Sequence, residues 1–177
     1  MKWNRKFYAG AIALFCAVTI ASGAAAFGRS RVAEVFAAAS GRPELKVTLA
    51  GMVVRDNTEV MLDKAGTVNP GETLRWVIAS QNDGDGAARE YKAVGQIPAG
   101  TLLIAGSTVA DGDVSVTFSI DSGQTYSAQP LVEEKQADGS VKRVPAPISM
   151  YTQVRYEWSD ALAAGGSLNA SYKVRVK

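Results

Sequence analysis

The chain has 177 residues, with 19 lysines and arginines against 17 aspartates and glutamates, one cysteine and no histidine. Without histidine, Ser-His-Asp and Cys-His nucleophile systems and all histidine-containing metal sites are excluded. A formal charge of +2 with no clustered basic face excludes the electrostatic footprint of a nucleic-acid binder.

Lys2, Arg5 and Lys6 precede an uncharged run from Phe7 to Gly28 that includes the small-residue segment Ser22-Gly23-Ala24-Ala25-Ala26. A charged start, an apolar stretch over Ala9 to Ile20 and an Ala-x-Ala site predict a secretory signal, residues 1–26, cleaved after Ala26. The alternative is an uncleaved anchor, since a bilayer needs about 20 apolar residues; the many alanines and glycines favour cleavage. Cys16 follows the bulky Phe15 inside the apolar stretch, so it is no lipoprotein cysteine and leaves with the signal. The protein is thus expected outside the cytoplasm, in the periplasm, on the cell surface or released. It would meet the membrane only through the signal during export.

Cleavage after residue 26 leaves 151 of the 177 residues, enough for one domain that buries roughly two-thirds of its unfolded surface. That mature chain has no cysteine, so packing and β-ladders alone must hold it. Removing three cations from a net +2 leaves −1, so the basic character belongs to the signal.

Residues 27–44 form a separate leader. Val32, Val35, Phe36 and Ala39 at i, i+3, i+4 and i+7 make one face of a short amphipathic helix, stopped by Ser40-Gly41-Arg42-Pro43. The segment reads as a mobile or loosely docked leader, as an arm that joins a neighbouring subunit, or as a late-cleaved part of the signal.

From residue 45 the pattern changes to strands. Leu45 to Val54 is the first, and Val60 to Asp63 continues the sheet after a turn at Asp56-Asn57. Asn69-Pro70-Gly71 turns into Thr73 to Ser80, where Leu74, Trp76, Ile78 and Ser80 share one face. Gln81 to Gly86 reverses the chain, a second strand follows, and Ile97-Pro98-Ala99-Gly100-Thr101 turns a corner into Leu102-Leu103-Ile104. Val114, Val116, Phe118 and Ile120 alternate with Ser115, Thr117 and Ser119, between Asp111-Gly112-Asp113 and Asp121-Ser122-Gly123 turns. Leu131 to Lys135 and Val141 to Val144 form a projecting polar hairpin, ended by Pro145 and Pro147. Val154, Tyr156 and Trp158 then face away from Gln153, Arg155 and Glu157. Finally Leu168, Ala170, Tyr172, Val174 and Val176 face inward from Asn169, Ser171, Lys173, Arg175 and Lys177.

About eight or nine strands with turns between them predict an all-β, immunoglobulin-like antiparallel β-sandwich over 45–177. Trp76 and Trp158 are the expected large core residues.

The run Pro70-Gly71-Glu72-Thr73-Leu74-Arg75-Trp76-Val77-Ile78, followed by Asn82-Asp83-Gly84-Asp85-Gly86-Ala87-Ala88, Ile97-Pro98-Ala99-Gly100-Thr101 and Gly106-Ser107, resembles the bacterial conserved repeat domain of unknown function found in cell-surface and exported proteins. That family's pattern is a Gly-x-x-Leu-x-Tyr strand, an Asn-x-Gly turn and a Leu-Pro-x-Gly corner. Phe118 to Tyr126, Gln153 to Tyr156, Gly166-Ser167 and Tyr172-Lys173-Val174 are similar to its C-terminal half, so the resemblance spans about Leu45 to Lys177. It implies a fold and transfers no catalytic residue. Trp76 stands where tyrosine is commoner, and the single copy departs from the tandem arrays of the family.

Carboxylate chemistry, a Ser-Lys pair or oxygen-ligated cations remain open. Asp83 and Asp85, and Asp111 and Asp113, are the candidate calcium ligands. The helix-loop-helix calcium pattern fails, because alignment on Gly86 puts Gln81 first and Lys92 twelfth; turn formation explains the same aspartates. Glu90, Glu133, Glu134 and Glu157 are carboxylates for glycoside hydrolysis, with no spacing that selects a pair. Arg155, Lys173, Arg175 and Lys177 form an expected basic stripe for an anionic polymer, or the ordinary wet face of a sheet. No catalytic residue and no cofactor is assigned. The reading is an exported non-enzymatic structural or adhesive module, with self-association or an envelope polymer as partner and no nucleic acid. The alternatives are a filament subunit joined by the leader or by the strand after Gly166, and a glycan- or cation-binding accessory domain.

Overall fold

The computed structural model describes residues 41–177; the expected signal and leader residues 27–40 lie outside the described residues. Eleven strands follow in chain order: β1 (Leu45–Arg55), β2 (Thr58–Met61), β3 (Thr73–Asn82), β4 (Lys92–Gln96), β5 (Thr101–Leu103), β6 (Val109–Ala110), β7 (Val114–Ser119), β8 (Leu131–Lys135), β9 (Val141–Pro145), β10 (Gln153–Trp158) and β11 (Ser167–Val176). The count exceeds the eight or nine expected; β6, two residues long, is too short to carry a readable alternation.

Local chemistry sets the turns. Asp56 and Asn57 take φ of 49° and 60°, and Arg55 pairs with Thr58 across this two-residue hairpin. Pro70 pre-sets φ and Gly71 takes 88°, which lets Glu72 N–H reach the Asn69 carbonyl at 3.2 Å. The Arg55 guanidinium then braces the loop from outside, with Nε 2.6 Å from Glu72 Oε1 and further bonds to the Ala65 and Thr67 carbonyls.

Every strand pairing is antiparallel. One sheet has the order β2-β1-β3-β11-β5, with β6 also on β11; the second is β4-β10-β7; β8 and β9 pair only with each other, as the projecting hairpin. The alternating apolar residues of the two larger sheets form a single core, with Val53, Leu74, Ile78, Ala170, Tyr172 and Val174 from one side and Ala93, Val154, Tyr156 and Trp158 from the other. This is an all-β arrangement consistent with a β-sandwich.

Four aromatic donors peg the layers together. Tyr156 Oη donates to the Ser171 carbonyl at 2.8 Å, Tyr172 Oη to the Gln96 carbonyl, Tyr91 Oη to Ser80 Oγ at 2.7 Å, and Trp158 Nε1 to the Asp111 carbonyl at 2.7 Å. Each ring buries a large apolar area while its polar tip finds an acceptor in the facing layer. Burial pushes the Tyr156 and Tyr172 phenols well above their ordinary range, so both remain neutral donors.

Trp158 is buried as expected, but Trp76 is not a central core residue. It is half-buried and lies over Gly51, directly opposite in β1, and Leu62. The missing Cβ of Gly51 makes room for the indole at the flank. The largest fully buried side chains are Tyr156 and Tyr172. Strand β11 faces as expected except at Ser171, which is also buried, where β6 runs alongside and Arg75 approaches its hydroxyl at 3.5 Å.

Because β3 pairs with β1 on one side and β11 on the other, β1 and β11 run parallel to each other. The chain therefore enters this sheet at the Asn82 end and leaves β11 at the opposite end. The strand after Gly166 is bonded on both sides within its own chain, to β3 and to β5 and β6, so it has no free edge to offer a neighbour.

Candidate functional site

Where β3 ends, Asn82 is fully buried and joins three segments. Its Oδ1 accepts the Glu44 N–H at 3.0 Å and the Gly84 N–H at 3.2 Å. Its Nδ2 donates to the carbonyls of Gly86, Leu162 and Ala163 at 2.7, 3.1 and 3.2 Å. The Asp83 N–H bonds the Glu44 carbonyl at 2.8 Å, and Asp85 Oδ1 accepts the Arg42 N–H at 2.6 Å. The last four leader residues, 41–44, are thereby docked along the 83–86 loop. Sequence reasoning took Asn82 only as part of the reversal; an asparagine at the last inward position of a strand, just before Asp-Gly-Asp-Gly, was the available signal.

The other aspartate pair has a comparable duty. Asp111 Oδ2 accepts the Asn169 backbone N–H at 2.9 Å and its Nδ2–H at 3.0 Å, and the Asp113 carbonyl accepts the Ser159 N–H at 3.1 Å. Among the described residues no three His, Cys, Asp or Glu side chains gather as a metal-ligand set, so Asp83, Asp85, Asp111 and Asp113 are not brought into one cluster.

Asp121 caps the turn after β7. It accepts Thr125 Oγ1–H at 2.5 Å, Thr125 N–H at 2.9 Å and Ser119 Oγ–H at 2.7 Å. These bonds, the Thr125 hydroxyl first, hold its carboxyl down at about 2. The folded value lies below the unfolded one of about 3.9. Its contribution to stability is therefore present above about pH 4 and lost as pH falls through about 2. An NMR titration should place the Asp121 carboxyl midpoint near 2, and Asp121→Asn should flatten the stability profile between about pH 4 and 2.

The most organised polar array lies on the outer face of the β4-β10-β7 sheet. After Asp121 the chain folds back, pairing Ser127 with Phe118, and carries Tyr126 over β10. The Arg155 guanidinium sits 4.0 Å from the Tyr126 ring centre, while the Tyr126 hydroxyl donates to Gln153 Oε1. Glu157 stands between two cations, with Oε1 2.5 Å from Arg155 and Oε2 3.5 Å from Lys92. The contact with Arg155 is an ion pair without hydrogen-bond alignment, and Arg155 Nε and Thr117 Oγ1 are likewise buried without a bond among the described residues. Burial raises the Tyr126 phenol, which favours its neutral donor form.

The expected basic stripe does not exist as one surface. Arg155 lies on the outer face of one sheet, and Lys173, Arg175 and Lys177 extend from the outer face of the other. Nor do the glutamates converge on a glycosidic bond. Glu133 and Glu134 are on the projecting hairpin, where Glu133 pairs with Arg143; Glu90 is an exposed loop residue; Glu157 is held by Arg155 and Lys92. Beside β6, a shallow depression of about 80 Å³ is lined by Arg75, Asp111, Asn169 and Ser171. It is no larger than a few water molecules.

Compared with protein-family models, curated proteins and solved structures, the chain shows no match in any of the three.

Proposed function

We propose that this chain is an exported, non-enzymatic structural or adhesive module of the cell envelope or extracellular matrix, an immunoglobulin-like sandwich released from a signal cleaved after Ala26. The observation that carries the reading is the course of the chain through the larger sheet. It enters along β1, leaves along β11, and these parallel strands flank β3, so traction along the chain loads both long ladders in shear. Many hydrogen bonds must then yield together, which suits a module under tension.

The polar chemistry supports the same reading. Arg55 and Glu72 brace a loop, Asp111 and Asp121 cap backbone N–H groups, and Asn82 ties three segments. The resemblance to the bacterial conserved repeat domain agrees in fold class and in expected location.

The full chain should be expressed in a bacterial host and the product recovered from outside the cytoplasm. Its N-terminal sequence should begin at Phe27. It should be retained on, and leave intact, insoluble peptidoglycan and envelope polysaccharides. Release of soluble sugar or peptide fragments would replace the structural reading with an enzymatic one.

A further inference from the structure

Among the described residues, one edge of the larger sheet is long and uncovered. The Leu62 N–H bonds the Gly51 carbonyl at 2.9 Å and the Asp83 N–H bonds that of Glu44 at 2.8 Å. Odd-numbered residues of β1 therefore turn their backbone groups outward, and even-numbered ones turn theirs toward β3. Strand β2 covers β1 only from Met52 to Arg55. The N–H and C=O groups of Leu45, Val47 and Leu49 consequently have no partner among the described residues. Their side chains pack against the core and continue its apolar face to the edge.

Four of the other edges in the two larger sheets offer less. On β4 the Gln96 carbonyl is taken by Tyr172, leaving Lys92 and Val94; on β7 Phe118 is paired with Ser127, leaving Val114 and Val116; β5 and β6 are very short. Natural sheets guard long edges with several lysines or other charges, proline or a bulge. Between Leu45 and Ala50 the one charge is Lys46, which is exposed on the outer face.

We propose that this edge docks β1 of a second copy of the chain, antiparallel about a twofold axis at Val47. Leu45 then exchanges both backbone bonds with the partner's Leu49, and Val47 with the partner's Val47, which extends the sheet and its apolar face across the pair. The slot fits that strand. It is closed at one end by Leu62 on Gly51 and ends at the other at Pro43, the next outward residue, which has no N–H to donate. Charge selects the register. A shift one way sets Lys46 directly against the partner's Lys46, which is unfavourable across a ladder. The opposite shift drives the partner's Glu44 toward Leu62. The intermediate register places Lys46 opposite the partner's Thr48. An isologous contact of this kind closes at two copies, whereas arm exchange continues. The interface is smaller than the usual 1,200–2,000 Å² or so, so half-association is expected on the order of 100 μM.

The inference goes beyond the structural-module reading and does not rest on it: polymer turnover would remove that reading and leave the edge pairing standing. The test uses protein recovered after expression of the full chain. Light scattering should show monomer giving way to dimer, and nothing larger, as concentration rises. Exchange at the Leu45, Val47 and Leu49 amides should slow by roughly tenfold from dilute to concentrated sample. Val47→Pro removes a donor that its own sheet does not use. It should abolish the dimer and keep the melting temperature within about 3 °C. A monomer at every concentration, with these amides unprotected, overturns the proposal. So do amides already protected in the monomer, which would place the chain's own residues on the edge. Oligomers beyond two, or dimers that survive Val47→Pro, assign the joining surface elsewhere.

Discussion

Asn82→Ala is expected to lower the unfolding free energy by about 3 kcal/mol, since each buried polar group stranded without a partner costs about 1–3 kcal/mol. The side chain satisfies the Glu44 and Gly84 N–H groups and the Gly86, Leu162 and Ala163 carbonyls from a position fully shielded from water. Partial rehydration at the Glu44 and Gly84 end keeps the total below the sum of five lost bonds. For a domain of ordinary stability, about 5–15 kcal/mol, the loss is a large share. Urea denaturation should show a lower midpoint with unchanged slope. Asn82→Asp should cost more, because it keeps the acceptor, removes the donors and sets a charge against carbonyl oxygens. The neighbouring exposed Asp83→Ala should stay within about 0.5 kcal/mol of the parent. An Asn82→Ala cost below about 1 kcal/mol would show the three segments to be held by something else. The same substitution should raise amide exchange at Glu44, the residue that leads into the open edge of β1.

Asn82 also illustrates what the sequence could and could not tell. Asp56-Asn57, Asn69-Pro70-Gly71 and Asp121-Ser122-Gly123 were legible as turns because their conformations follow from single-residue properties, and the structure gives positive φ at Asp56, Asn57, Gly71, Ser122 and Gly123. The faces of β10 and β11 were legible because alternation is local. Burial of a polar face was not. Gln153 is buried and Arg155 and Glu157 are half-covered because the chain after Asp121 folds back over β10, a tertiary event with no periodicity of its own. The basic stripe failed for the same reason: alternation assigns a residue to one side of its strand, never to a sheet. Trp76 shares the inward face and packs against the core at its flank, while the centre goes to tyrosines whose hydroxyls have acceptors across the layers, Ser171 for Tyr156 and Gln96 for Tyr172. The candidate cation ligands could be read as turn formers or as ligands, and their hydrogen bonds show turn and cross-segment duties for Asp85 and Asp111.

A tight contact between the layers yields the second large effect. Gly95→Ala should destabilise by about 2 kcal/mol and Gly95→Val by about 3 kcal/mol or more, through overpacking. The sign is decided by geometry, because strand propensity alone favours replacing a glycine in β4. A Cβ at Gly95 would overlap Tyr172 Cε1 and stand 2.9 Å from Cζ. The ring cannot withdraw: Tyr172 is fully buried, and its hydroxyl is bonded to the Gln96 carbonyl one residue along the same strand. Tyr172→Ala should by itself cost about 3–5 kcal/mol through the cavity it leaves. In that background the Gly95→Ala penalty should vanish or change sign, giving a coupling of about 2 kcal/mol in a double-mutant cycle. Tyr172→Phe keeps the ring, so it should leave the Gly95→Ala penalty in place and add only about 1 kcal/mol for the lost hydroxyl bond. Additive costs for Gly95→Ala and Tyr172→Ala would mean that the sheets separate to admit the methyl group. The core would then be set by area alone and not by the fit of one ring against one bare backbone position.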